Sequence, residues 1–103
     1  MPVNSPNADQ LLHLLRTAAE EVRPELAELL DLNGAETRIW GRDSLLDSLG
    51  LVTLIAAFER EIEDAYEVTV LLADERAMSR EHSPFRTAGT LADYAAELIR
   101  EES

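Results

Sequence analysis

Leu11, Leu15, Ala18 and Val22 recur at intervals of three and four, with Leu12, Leu14 and Ala19 beside them. That spacing marks one face of an α-helix. The pattern sets in at about Asn7, after a polar start. Pro24 interrupts it, and a proline in such a pattern either kinks the helix or opens a new segment. Leu26, Leu29 and Leu30 continue the apolar face, so one kinked element is predicted, stopping at Asn33-Gly34. Residues 33–47 read as a long loop anchored by Ile39 and Trp40, with Trp40 expected to plug the core. A second helix follows over DSLGLVTLIAAFEREIEDA, with Leu49, Val52, Ile55, Phe58 and Ile62 as its predicted inner face and Leu51 and Leu54 flanking. Tyr66 to Leu72 alternate weakly and are expected to run extended. LADERAM predicts a short helix around residues 73–79, and Ser83-Pro84-Phe85 a turn pinned to the core by Phe85. Thr90-Leu91-Ala92-Asp93 resembles a capping box. It predicts a closing helix that buries Leu91, Tyr94, Ala95, Leu98 and Ile99. The sum is an all-α fold, a small bundle of three main helices plus one short helix with a long first loop. Residues 1–8 are expected to be a flexible N-terminus and 9–103 one domain.

Composition narrows the picture. With 46% of residues hydrophobic and only 5% aromatic, the core must be built from Leu, Ile, Val and Ala. The net charge is −12, and all nine basic residues are Arg. Such a surface repels nucleic-acid phosphates and anionic lipid and favours partners with basic patches. The longest near-apolar run, Leu49 to Phe58, is too short to span a bilayer. The start shows no signal-peptide pattern. A cytoplasmic monomer, with no nucleic-acid partner and no stable membrane insertion, is expected. Without Cys there is no disulfide, zinc thiolate or cysteine nucleophile.

The stretch GRDSLLDSLGL, residues 41–51, contains Asp-Ser-Leu twice, at Ser44 and at Ser48. A serine-hydrolase elbow needs Gly two places before and two places after the serine. Ser48 has Gly50 after it but Leu46 before it, and Ser44 has neither. The only histidines are His13, set among leucines, and His82. Glu59, Glu61, Glu63 and Asp64 are dense, but helical spacing spreads them and no Glu-x-x-His accompanies them. They read as a solvated acidic face, and no metal is expected. Two readings of the serines stay open. Ser and Asp are favoured helix caps whatever their function. Alternatively, one serine is modified by another enzyme. A helix N-terminus has unpaired N–H groups and a positive dipole end, so it tolerates a phosphate ester.

The whole layout resembles the acyl carrier protein family. LLDSLGLVTLIAAFEREI is similar to that family's serine and second helix, AYEVTV to the extended stretch after it, and TLADYAAEL to its closing helix. The similarity covers residues 9 to 100. It implies a protein that is not an enzyme. A phosphopantetheinyl transferase moves a 4′-phosphopantetheine arm from coenzyme A onto a serine, and the arm's thiol holds an acyl group as a thioester. Loading and transfer enzymes then dock through basic patches. Within the resemblance, Gly41-Arg42-Asp43-Ser44-Leu45 is the better local match. Counting from Ser48, however, positions +1, +4, +7, +10 and +14 are all apolar. From Ser44, position +4 is polar Ser48, and Gly50 falls well inside the helix. Ser48 is therefore the expected attachment point, flanked by Asp47 and Leu49. Asp47 is expected to cap the helix and to help the transferase orient its metal-bound coenzyme. An acyl pocket is expected to involve Val52, Ile55 and Met78. The early exposed places of the helix, read as Gly50, Leu51 and Thr53, lack the acids common in fatty-acid-synthase carriers. That departure favours a carrier for a specialised lipid or secondary biosynthetic pathway. The alternatives are an aminoacyl or peptidyl carrier and an unmodified acidic helical adaptor.

Overall fold

The structure, a computed structural model, describes residues 7–40, 46–72 and 85–102, with the backbone alone at Ser48 and Glu102. These residues form an all-α bundle: α1 (Ala8–Val22), α2 (Pro24–Asn33), a 3-10 turn (Gly34–Glu36), α3 (Ser48–Tyr66) and α4 (Ala88–Glu102). The short helix expected at 73–79 and the Ser83-Pro84 turn lie outside the described residues, as do Ser44, Met78 and His82.

The Asn7 side chain caps α1 by accepting the Gln10 N–H at 2.8 Å. The helix buries Leu11, Leu15 and Ala18 of the predicted face, with Ala19 beside them, while Val22, the fourth residue of that face, is only half-buried. It packs against α2, α3 and α4, so the bundle is assembled around it. No helix among the described residues is long and apolar enough to cross a membrane.

Pro24 breaks the first element instead of kinking it. Arg23 is extended, at φ −151° and ψ 91°, and serves both as C-cap of α1 and as N-cap of α2. The proline ring disfavours helical geometry at the residue before it, and Pro24 itself lacks an N–H. It therefore sits at the first position of α2, where the missing donor costs nothing. Arg16 then ties the two helices together. Its guanidinium donates to both Asp31 carboxylate oxygens, at 2.7 and 3.0 Å, and to Glu20 at 2.9 Å. The Arg16 bond holds the Asp31 carboxyl below its ordinary range, and the Asp31 bond raises the guanidinium in turn. Helix α2 stops at Gly34, whose φ of 56° and ψ of −131° suit glycine alone.

The loop after α2 is held by Thr37 and Ile39, both buried. The Thr37 hydroxyl lies 2.8 Å from the Gly34 carbonyl and 3.2 Å from that of Leu29. Trp40, expected as the plug, is only half-buried and packs on the edge of the core; Ile39 is the fully buried anchor. A bridge between Arg38 and Thr87 joins this loop to the start of α4. Here the expected capping box shifts by three residues. The Thr90 N–H donates to the Thr87 hydroxyl at 3.2 Å, and the Thr87 N–H donates to the Thr90 hydroxyl at 3.0 Å. Thr90 is thus the inner member of the box and not its cap, because the bridge holds Thr87 extended just before the helix. Phe85 and the five α4 residues predicted to be buried are all buried.

Residues 67–72 run without strand pairing, yet they keep the predicted alternation. Val70 and Leu72 point inward, while Thr69 and Leu71 are exposed. Two acids of α3 hold the segment. A Glu59 carboxylate oxygen accepts the Leu72 N–H at 2.7 Å, and Glu63 accepts the Thr69 hydroxyl at 3.0 Å. Tyr66 reaches Gln10 at 2.8 Å, and partial burial raises its phenol. The chain leaves α3 through Glu67, which is left-handed at φ 57° and ψ 35°. That conformation costs a residue with a Cβ about 1 kcal/mol. A carboxylate there also opposes the negative end of the helix dipole. Glu67→Gly is expected to raise unfolding stability by about 1 kcal/mol in urea titrations.

Candidate functional site

The start of α3 is where the sequence places its candidate chemistry. Leu46 is buried and non-helical, Asp47 is extended at φ −88° and ψ −175°, and Ser48 is the first helical residue. One Asp47 carboxylate oxygen accepts the Gly50 N–H at 2.7 Å, and the Asp47 carbonyl accepts the Leu51 N–H at 2.9 Å. Asp47 is thus the N-cap, as expected. The site also uses the smallness of Gly50. A Cβ there would come within 3.2 Å of both the capping carboxylate and a Leu46 methyl. Asp47→Ala removes the side-chain bond and is expected to lower stability by about 1 kcal/mol, read as a shift in the urea midpoint.

Asp47 satisfies one donor of the first turn. The Leu49 N–H has no partner among the described residues. An N–H without a partner among the described residues, at the positive end of a 19-residue helix, is a position where an anionic group is favoured.

The inner face of α3 differs from the predicted one at its first two turns. Leu51, Leu54, Ile55, Phe58 and Ile62 are buried, but Leu49 is 75% and Val52 61% exposed. The reason is geometric. Steps of three fall short of a full turn, so at about 100° per residue Leu49 lies about 180° round the helix from Phe58. Leu51, read as exposed from the sequence, takes the inward place. The register used to choose between the serines therefore fails at positions +1 and +4, since Leu49 and Val52 both face solvent. The helix start it led to is nevertheless the one observed, and Asp47 sets it.

The same rotation separates the expected pocket residues. Ile55 is in the core, Val52 is exposed, and Met78 lies outside the described residues. A cleft of about 170 Å³ opens elsewhere, between α1 and α2, lined by Leu12, His13, Arg16, Leu30, Asp31 and Gly34. It is smaller than the ~300 Å³ at which ligand pockets begin, and no residue of α3 lines it. His13 is exposed at its rim.

Among the described residues no group of three His, Asp or Glu side chains is placed to hold a metal ion. Glu59 and Glu63 instead bind the segment that follows α3. Sequence reasoning missed this role, although carboxylates one turn apart beside an extended stretch with free N–H groups were a usable signal. Comparison of the chain with family models, with curated proteins and with solved structures finds no match in any of the three.

Proposed function

We propose that this chain is a carrier of the acyl carrier protein kind, with 4′-phosphopantetheine attached to Ser48. The observation that carries the reading is the Asp47-capped start of α3. It makes Ser48 the first residue of a long helix, at the positive dipole end and beside a Leu49 N–H that has no partner among the described residues. The all-α bundle and the family-like motifs around both ends of it support the same reading.

In the proposed loading step the Ser48 hydroxyl oxygen bonds to the phosphorus next to pantetheine in coenzyme A. The bond from that phosphorus to the nucleotide half breaks, and 3′,5′-adenosine bisphosphate leaves. The hydroxyl proton passes to a base of the transferase. The chain itself contributes position and a local field, not catalysis. Having no Cys, it carries no thiol of its own to compete with that of the arm. The cargo is an acyl group held as a thioester for a specialised lipid or secondary biosynthetic pathway, with an aminoacyl or peptidyl load as the alternative.

The reading is tested by incubating the purified chain with coenzyme A, Mg²⁺ and a broad-specificity phosphopantetheinyl transferase, followed by intact mass. One phosphopantetheinyl group per chain is the expected gain. An unchanged mass, with a known carrier modified in the same tube, leaves an unmodified adaptor as the better account.

A further inference from the structure

The end of α2 is formed by Asn33 and Gly34, the only Asn-Gly pair in the chain. In such a pair the main-chain nitrogen after the asparagine can attack the side-chain amide, and a glycine has no Cβ to crowd the approach. The geometry leaves the pair open on its outer side. The Asn33 side chain is exposed and has no hydrogen-bond partner among the described residues. A Cβ built on Gly34 would meet nothing within 4 Å. Asn7 is placed differently: its side chain is committed to capping α1 through the Gln10 N–H, and an alanine follows it.

What holds the pair back is the helix. Asn33 has φ −112° and ψ −10°, and the Gly34 N–H donates to the Leu30 carbonyl. Ring closure needs the Gly34 nitrogen against the Asn33 side chain, a rotation about ψ of Asn33 that breaks this bond. The last turn of α2 must therefore open first, and helix ends open locally at a small part of the global cost. We propose that Asn33 is a site of spontaneous covalent modification by water, with the last turn of α2 setting its rate. The proposal does not rest on the carrier reading of Ser48.

In the first step the Gly34 nitrogen gives up its proton to hydroxide and bonds to Cγ of Asn33. The bond from Cγ to the side-chain nitrogen breaks, and that nitrogen leaves as ammonia after taking a proton from water. The cyclic imide then adds water at either carbonyl and opens to aspartate or isoaspartate. Water is the only reactant consumed, and no redox change occurs. Both products put a new carboxylate at the negative end of α2, where the helix dipole opposes it. Isoaspartate also lengthens the main chain by a methylene, immediately before the glycine whose carbonyl accepts the Thr37 hydroxyl at 2.8 Å and the Thr37 N–H at 3.1 Å. The Thr37 carbonyl in turn accepts the Ala88 N–H at 2.8 Å, so the altered turn is the one that seats the start of α4.

The test incubates the full chain in mildly alkaline buffer, folded in one arm and unfolded in urea in the other. Electron-transfer fragmentation of its peptides locates the change and separates aspartate from isoaspartate. Expected in the folded chain is modification at Asn33 ahead of Asn7, about tenfold or more slower than in urea. Leu32 lies in the same turn and is 80% exposed, so Leu32→Gly weakens the turn without touching the core. This variant is expected to react about fivefold faster than the parent when folded and at the parental rate in urea. Circular dichroism checks that it folds. Equal parental rates in the two arms overturn the proposal, as does a folded Leu32→Gly chain that reacts no faster than the parent. Modification of Asn7 ahead of Asn33 in the folded chain overturns the choice of site. A folded parent chain that stays unmodified while the urea arm reacts overturns it as well.

Discussion

Ser48→Ala is expected to abolish phosphopantetheine uptake, while Ser44→Ala takes up the group like the parent chain. The two serines sit in the same triplet, so the difference must come from what surrounds them. Asp47 ends the loop and caps α3, which makes Ser48 its first residue. Alanine is the best helix former and Asp47 provides the cap, so Ser48→Ala leaves the helix start in place. Loss of uptake with unchanged circular dichroism then reports missing chemistry and not a missing fold. Intact mass of the two variants side by side is the measurement. Uptake retained by Ser48→Ala and lost by Ser44→Ala would move the attachment point into the loop.

Phe58→Ala is expected to cost about 3–5 kcal/mol. Phe58 is fully buried, one of two phenylalanines in a chain whose core is otherwise mostly aliphatic. It stands on α3, which packs against the central helix α1. Deleting its ring removes its transfer free energy and leaves a cavity that Leu and Ala neighbours fill only in part. Small domains are stable by roughly 5–15 kcal/mol, so the variant loses a large fraction of the total. Val52→Ala on the same helix is expected to change stability by less than about 0.5 kcal/mol, because Val52 is solvent-exposed. Urea unfolding of the pair measures both. Equal losses would mean that the observed rotation of α3 is wrong and that Val52 belongs to the core.

Much of the bundle can be read from side-chain spacing. The buried faces of α1 and α4, the stop at Gly34, the alternation in residues 68–72 and the Asp47 cap all follow from local rules that the chain obeys. The departures occur where a tertiary contact or a rotation decides between two locally acceptable readings. Pro24 permits either a kink or a break, and the extended Arg23 selects the break. Thr90 permits a cap, but the bridge to Arg38 holds Thr87 in that place instead. In α3 two apolar stripes overlap, one through Leu49 and Val52 and one through Leu51 and Leu54. Composition cannot rank them, since all four residues are apolar. A strict 100° step could have done so, because only the second stripe stays in phase with Phe58 and Ile62. At the site, the motif and its cap were legible from the residues. The exposure of Leu49 and Val52 could be read only from that angular step, and it is this feature that turns the expected pocket wall into a surface.

The central claim is that Ser48, and no other residue, carries the arm. The most direct measurement is fragment-ion mass spectrometry of the chain purified from its native cells and cleaved after arginine. Cleavage at Arg42 and Arg60 releases one peptide, residues 43–60, holding both serines. Expected is a phosphopantetheine-bearing peptide whose added mass falls on fragments that include Ser48 and never on those ending before Asp47. Added mass on the fragments that hold Ser44 alone, or a native peptide with no adduct at all, would contradict the account.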